Sequence, residues 1–337
     1  MKTKVWSSAY MWVSLLFRSQ ISVFPFKILL TIYKLRLDRA ISASLDVPVS
    51  LSDRFISSAL YIERPEAPPP MPWLDDLPPS DISQSPPTLG TFAHICKIRL
   101  IQSYILNTIQ AVPFEGSEAT HEWQESMKMK IDQWADEIHS HRLVSPQYNF
   151  PEFKLTRVCE SLVHNEGYQS PLWLFLISQL SLILLYRPSR LNITTNISSI
   201  ALTASISACT TFRALQKKRQ IAQPWLVVIT QFQAGVTILY IIWARGISVS
   251  READRAIRDC TSVLAILADR WCNAEHYRDC FEVLAREVPQ LGGSPLESEA
   301  RVELGGLIEQ VEEVGCHKHV CRMLREMAEG GGQDMEF

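Results

Sequence analysis

Glycine is scarce in this chain, with 13 among 337 residues, under 4% against a usual share of about 7%. Nine of the 19 prolines lie within 65–87, so the residues that most often interrupt helices are rare elsewhere. Stretches of strand length in which apolar and polar residues alternate do not recur often enough to build a sheet. The sequence therefore predicts an all-α fold, a multi-helix domain of buried amphipathic helices with one Pro-rich acidic loop at 63–90.

An excess of basic residues is also missing. The 33 Lys and Arg side chains against 36 Asp and Glu give a formal net charge of -3, whereas a nucleic-acid-binding domain usually carries a basic patch. Hydrophobic residues make up 47% and charged residues 20% of the chain, which is ordinary for a folded protein and too apolar for a disordered one. We therefore expect a sizeable core and no DNA-binding domain within these residues.

Four widespread catalytic patterns do not occur: G-x-S-x-G, G-x-G-x-x-G, the Walker A loop and H-E-x-x-H. The eight cysteines include no C-x-x-C pair, which excludes zinc ribbons, thioredoxin-type motifs and a regular disulfide framework. Most of them lie in apolar helical stretches, and free cysteines of this kind indicate a reducing compartment. We expect no enzyme, and assign no catalytic, cofactor-binding or metal-ligating residues.

Two groups of cysteine and histidine are candidate sites. The stretch 316–321 holds two cysteines and two histidines, but on a helix only His317 and Cys321 share a face, and zinc usually takes ligands from two separated segments. We interpret it as a surface helix, with a metal site as the alternative. Cys272 and His276 are four residues apart; we expect them to pack in the core or at an interface, with a thiolate–imidazole pair as the alternative.

The N-terminal stretch 1–17 has the charged and apolar regions of a signal peptide. It lacks a small-x-small cleavage site, and Arg18 and Lys27 interrupt the apolar residues that follow. Secretion is therefore not expected. The glycosylation sequons at Asn192 and Asn196 would matter only in a secreted protein.

The Pro-rich loop at 63–90 is expected to be a linker or a long surface loop, because closely spaced prolines remove helix hydrogen bonds and hold the chain extended. Trp73 and Leu74 lie beside Asp75 and Asp76 within it. We expect Trp73 and Leu74 to fix the loop to the core. The alternative is an acidic-hydrophobic activation segment.

The stretch 225–243 is nineteen uncharged residues long, close to the about 20 apolar residues that cross a bilayer. It contains four polar side chains whose burial in hydrocarbon is costly without partners: Thr230, Gln231, Gln233 and Thr237. We interpret the basic group 217–219 before it as a solvated helix end, with an import or phosphate-contacting patch as the alternative. We favour buried helices of a large helical domain; the alternative is a membrane-associated helical protein with a span near 225–243.

Apolar residues recur at helical spacing along most of the chain after residue 91. Helices are predicted at 94–109, 117–139, 152–166, 170–186, 196–219, 224–245 and 254–271, then in a segment ending at Pro289, and finally in one polar helix at about 296–328.

Short segments along the chain resemble one known family. They read Y-K-L at 33–35 and L-D-R-A-I-S-A-S-L at 37–45, I-R-L at 98–100, L-Y-R-P-S at 185–189, F-Q-A-G at 232–235 with L-Y at 239–240 and Trp243, and L-A-D-R-W at 267–271 followed by Y-R-D at 277–279 and F-E at 281–282. The first is similar to the Y-x-L-D-R-x-I-S-x-x-L signature of the fungal-specific transcription factor domain, the middle homology region of binuclear zinc cluster (Zn2Cys6) regulators.

The resemblance implies an all-helical regulatory domain in a nuclear protein that controls transcription, often of a metabolic pathway or a secondary-metabolite gene cluster. In such regulators an N-terminal six-cysteine zinc cluster binds DNA, a short coiled coil often dimerises the protein, and the helical domain modulates activity. The implied partners are transcription machinery or co-regulator proteins, a small-molecule effector and a second copy of the chain. Zinc and DNA would be bound only through the zinc cluster, which this chain lacks.

The chain departs from the family pattern in several places. Asp46 stands where the family usually has glycine before x-Pro, here Val47-Pro48, and Arg36 and Leu37 lengthen the signature. The helices that usually precede the signature are not recognisable in 1–30. We expect three parts: an unassigned segment at 1–30 from a truncated gene or a misplaced exon boundary, the helical regulatory domain at 31–290, and a polar C-terminal helix and tail at 291–337.

Overall fold

The computed structural model describes residues 37–50, 87–111, 118–140, 171–221, 223–291 and 297–329. The predictions for the segment 1–30, for the Pro-rich loop as far as residue 86, and for a helix at 152–166 lie outside these residues.

The prediction of an all-α fold is confirmed: the described residues form ten helices and no strand. In chain order they are α1 (37–45), α2 (Pro87–Ala111), α3 (Glu118–Ser140), α4 (Pro171–Leu185), α5 (Asn196–Lys217), α6 (Pro224–Arg245), α7 (Arg251–Ala268), α8 (Ala274–Leu291), α9 (Ser298–Val314) and α10 (Lys318–Glu329).

Local sequence signals explain where several helices begin and end. Proline opens α6 at a position where its missing N–H costs nothing, and Gly246 ends that helix with a left-handed φ of 58°. The hydroxyl of Ser250 caps α7 by accepting a hydrogen bond from the Ala253 N–H. Glu252 and Asp254 then place negative charge at the positive end of the α7 dipole.

Helix α6 is the centre of the molecule. Every residue from Leu226 to Trp243 is buried, as expected for a helix that is apolar on all sides. Helices α4, α5, α7, α8 and α10 surround it. The hydroxyls of Thr230 and Thr237 donate to the carbonyls of Leu226 and Gln233 in the preceding turn, both at 2.8 Å.

By length and composition, α6 is the one helix in the described part of the chain that could cross a membrane, and 94% of its most apolar window lies inside the protein. This burial agrees with the expectation of a core helix. Helices α2 and α3 pack on α4 at one side of the bundle, and α9 and α10 pack against α8 and α6 at the other.

The C-terminal region differs from the single polar helix predicted at 296–328. Two helices, α9 and α10, replace it, because the chain breaks at Gly315, whose φ of 126° is one that residues with side chains rarely adopt. Helix α10 buries Val320, Met323 and Leu324 among others and contacts α6. The stretch 297–329 is therefore packed on the helical domain rather than extending from it as a polar tail.

Glycine at 235 is required by close packing. A Cβ there would lie 2.6 Å from Cys260 Sγ on α7 and 2.6 Å from Phe281 Cε2 on α8. A real Cβ atom is essentially never this close to another side chain, so a larger residue at 235 would clash. Gly235 therefore allows α7 and α8 to pack directly on the α6 backbone. This explains the glycine of the F-Q-A-G segment.

We predict that Gly235→Ala lowers the free energy of unfolding by about 2 kcal/mol, because the added methyl group overpacks the contact between α6, α7 and α8. Urea denaturation measures the change. Gly306→Ala in α9 is the matched control: nothing lies within 4 Å of a Cβ at this helical position, so it should stabilise by about 0.5–1 kcal/mol. Equal effects of the two substitutions would contradict this packing.

Candidate functional site

Charged and aromatic side chains gather at one end of the bundle, where four parts of the chain meet. These parts are the end of α1, the turn between α4 and α5, the C-terminal half of α6, and α10 with the residue before it. We call the group the arginine–histidine cluster. Its members are Asp46, Arg187, Arg190, Tyr240, Trp243, His317, His319, Arg322 and Glu326.

A two-point ion pair joins the end of α1 to the turn after α4. Both terminal nitrogens of Arg187 donate to the two carboxylate oxygens of Asp46 at 3.0 Å, across 141 residues of sequence. The two side chains are only 14% and 11% exposed. Parallel paired hydrogen bonds of this kind are the strongest geometry that arginine offers a carboxylate.

The backbone at Asp46 has a conformation that residues with side chains rarely adopt. Its φ is 56°, in the left-handed region that favours glycine and that aspartate tolerates better than most residues. Glycine would adopt this φ more easily but has no side chain that could bind Arg187. Asp46 therefore adopts a less favourable backbone conformation than glycine would, but its side chain forms an ion pair with Arg187.

The turn that presents Arg187 is closed by Asn192. Asn192 Oδ1 accepts a hydrogen bond from the Ser189 N–H at 2.8 Å, and Asn192 Nδ2 donates to the Arg187 carbonyl at 2.9 Å. The amide of this sequon residue is thus used in holding the turn.

Glu326 lies among three donors. The Tyr240 hydroxyl donates to its carboxylate, and Arg190 Nε and Arg322 Nε lie 3.7 Å and 3.5 Å from its oxygens. Burial raises the pKa of Tyr240 well above its ordinary value, and the hydrogen bond to Glu326 adds a smaller increase. The phenol therefore stays protonated. Arg190 also stacks its guanidinium 5.1 Å from the centre of the Trp243 ring.

His317 caps the start of α10. Its carbonyl accepts from the Cys321 N–H, and its Nδ1 accepts from the His319 N–H at 3.2 Å. Burial is the main cause that lowers the pKa of His317 to about 3, and the positive charge of Arg187 contributes to the same shift. The ring is therefore neutral. With Nδ1 accepting, the ring proton is on Nε2, which is buried and has no hydrogen-bond partner among the described residues.

His319 is also buried, and burial followed by the charge of Arg322 lowers its pKa well below the ordinary value. Its Nδ1 lies 3.2 Å from Arg322 Nη2. The interpretation of 316–321 as a surface helix is therefore wrong: His317 is 0% and His319 9% exposed. Among the described residues, no group of three or more His, Cys, Asp or Glu side chains is arranged to hold a metal ion.

The thiols near this cluster are poorly suited to act as nucleophiles. Burial raises the pKa of both Cys280 and Cys316 above the ordinary value, with nearby Cys321 adding to the shift, and a protonated thiol is a weak nucleophile.

The Cys272 and His276 expectation is wrong in part. Cys272 is exposed rather than packed in the core, with its Sγ 3.7 Å from Asn273 Oδ1. His276 instead has its Nδ1 2.9 Å from Gln310 Oε1 of α9.

The segments that resemble the regulatory family take part in packing between helices. Gln102 accepts from Arg99 at 2.6 Å and donates to Ser181 of α4 at 2.8 Å. Phe232 of α6 contacts the Tyr277 ring of α8 edge-on at 5.3 Å. Their roles are structural in this geometry.

From the sequence, His317 and His319 are considered only as possible metal ligands, and Arg322 and Glu326 are not identified. No local signal marks these last two residues, since α2, α4, α5 and α6 also lack acidic residues in the first turn, as α10 does. No protein-family model, curated protein or solved structure matches this chain.

Removing the Asp46 charge tests the ion pair. Asp46→Asn keeps a side chain that tolerates the left-handed backbone but leaves the mostly buried Arg187, 14% exposed, without its carboxylate, so we expect a loss of roughly 3 kcal/mol in unfolding free energy. Chemical denaturation measures it, and Glu309→Gln at an exposed α9 position is the control. A loss below about 0.5 kcal/mol would show that the pair does not hold α1.

Acid should destabilise the protein through His317. The folded state keeps its ring neutral down to about pH 3, whereas the unfolded chain takes up the proton below about pH 6.5. Stability is thus complete above pH 6.5 and is lost as pH falls, by up to about 1.4 kcal/mol per pH unit. His317→Asn, which can still cap α10, should reduce this loss in denaturation curves between about pH 6.5 and 4.5. Exposed His121→Gln should not, and equal slopes in the two variants would contradict the assignment.

Proposed function

We propose that this chain is the regulatory portion of a transcription regulator of the fungal zinc cluster type. It acts in the nucleus without catalysis, through transcription machinery or co-regulator proteins and a small-molecule effector. The observation that carries this proposal is the packing of the F-Q-A-G segment on the F-E and Y-R-D segments. The ion pair between Asp46 and Arg187 also brings the residue after the segment 37–45 to the segment 185–189, although Asp46 itself departs from the family pattern.

Two contacts form this packing. The F-Q-A-G segment meets the F-E segment where the α6 backbone at Gly235 touches Phe281. Phe232 in the former also contacts Tyr277, which begins the Y-R-D segment. If these segments are motifs of one helical domain, we expect them to pack together in this way, because such motifs often lie where two helices contact each other.

The chemistry of the arginine–histidine cluster favours binding over catalysis. Its two histidines have lowered pKa values and stay neutral, while Tyr240 has a raised pKa and stays protonated. Its carboxylates are engaged by arginines. A general base needs a pKa near the working pH, and these groups are far from it.

Nuclear localisation is supported by the end of α5. Lys217, Lys218 and Arg219 are all exposed there, so a short basic patch is accessible to an import receptor. Sequence-specific DNA binding would come from the family's zinc cluster. In this chain we propose that the helical bundle contacts the co-regulator proteins and the effector.

A reporter assay tests the proposal. The full chain is fused to an unrelated DNA-binding domain whose operator lies upstream of a reporter gene. We expect reporter expression to change at least about tenfold relative to the DNA-binding domain alone. Asp46→Asn should weaken the effect because the contact of α1 with the bundle is lost, whereas Gly306→Ala should leave it intact.

Two results would contradict the proposal. One is a fusion that accumulates in folded form and leaves the reporter unchanged. The other is recovery of the untagged chain in a carbonate-resistant membrane pellet, which would favour the membrane-associated alternative built around α6.

A further inference from the structure

The loop between α6 and α7 presents a serine close to a free arginine. Residues 245–248 are all exposed, and the backbone at 247–250 belongs to neither a helix nor a strand. Ser248 follows Arg245, the last residue of α6, by three positions. Within the described part of the chain, the Ser248 hydroxyl has no hydrogen-bond partner and the Arg245 guanidinium has no acidic partner. Both side chains are therefore accessible to an enzyme from solvent.

The same spacing, with arginine three residues before a serine or threonine, occurs at two other places in the described ranges. In α1 it relates Arg39 to Ser42, and in α7 it relates Arg258 to Thr261. Each of these arginines is paired with a nearby aspartate. Ser42 is only 2% exposed, and the Thr261 hydroxyl donates to a carbonyl of its own helix at 3.2 Å. Of the three pairs, the fold leaves only the one in the loop before α7 accessible.

An exposed serine at this distance from a free arginine has the chemistry of a protein kinase substrate. A kinase transfers the γ-phosphoryl group of ATP to a hydroxyl that lies in line with the phosphorus atom, so the serine must enter the active site free of other contacts. Kinases distinguish substrates partly by their charge pattern. A carboxylate of the enzyme can bind an arginine at a fixed distance from the serine through charge-assisted hydrogen bonds. A buried or helical hydroxyl would first need local unfolding, whereas Ser248 would not.

We propose that Ser248 is a phosphorylation site for a serine kinase that recognises Arg245. In the reaction, a bond forms between Ser248 Oγ and the γ-phosphorus of ATP, and the bond from that phosphorus to the β–γ bridging oxygen breaks. ADP leaves, and the hydroxyl proton passes to the catalytic carboxylate of the kinase. The product carries a charge of about -1.5 to -2 at pH 7 on an exposed loop. Control of transcription by this charge rests on the proposed function, whereas the modification itself does not.

Phosphorylation of the folded full chain tests the site. The chain is incubated with Mg²⁺, ATP and a serine kinase whose activity on a reference peptide requires arginine three residues before the serine. Mass spectrometry then identifies the modified residues. We expect phosphate on Ser248, and its loss in Ser248→Ala. Arg245→Gln should lower the initial rate of modification at Ser248 at least about tenfold, because a charge-assisted contact with the kinase is lost.

Arg251→Gln is the matched control. It removes the same charge at an exposed position three residues after Ser248 rather than before it, so the rate should not change. Coincident thermal unfolding curves show that each variant keeps the fold.

The proposal is overturned if the folded chain is not modified at Ser248, or if Arg251→Gln lowers the rate as much as Arg245→Gln does. It is also overturned if Ser248 is modified only in urea, since the site must be accessible in the folded protein. Because these outcomes need no reporter gene, failure of the phosphorylation site and failure of the transcriptional role are distinguishable.

Discussion

The structure depends on the complete enclosure of α6. A helix with apolar residues on every face is stable in water only when other helices cover all of it, and five helices do so here. This requirement places α5, α7, α8 and α10 around a common axis. It also demands a close crossing, which Gly235 permits by leaving room for Cys260 and Phe281.

The charged groups that contact α6 lie near its C-terminal end. Within α6 the threonine hydroxyls return to the helix's own carbonyls, whereas Tyr240 and Trp243 near its C-terminal end meet the glutamate and arginine of neighbouring elements. The arginine–histidine cluster therefore lies at the boundary between core and solvent. There the low dielectric strengthens ion pairs, while Arg190 and Arg322 remain partly exposed to solvent.

The sequence predicts the fold better than the cluster. The uncharged run at 225–243, preceded by Pro224, predicts α6 closely because both signals are local. The partner of Asp46 could not be predicted, since Arg187 is 141 residues away and its approach depends on the packing of α4. The burial of His317 could not be predicted either. It follows from the chain break at Gly315, after which α10 packs back onto α6.

Native-state hydrogen exchange in aqueous buffer without detergent tests the enclosure of α6 most directly. The amides of Leu226 through Trp243 should exchange only by global unfolding, with protection free energies equal to the unfolding free energy from denaturation. Amides at the edge of the bundle, in α9, should exchange by smaller openings. If the α6 amides exchange as fast as those of α9, the helix is not the enclosed core and the account is contradicted.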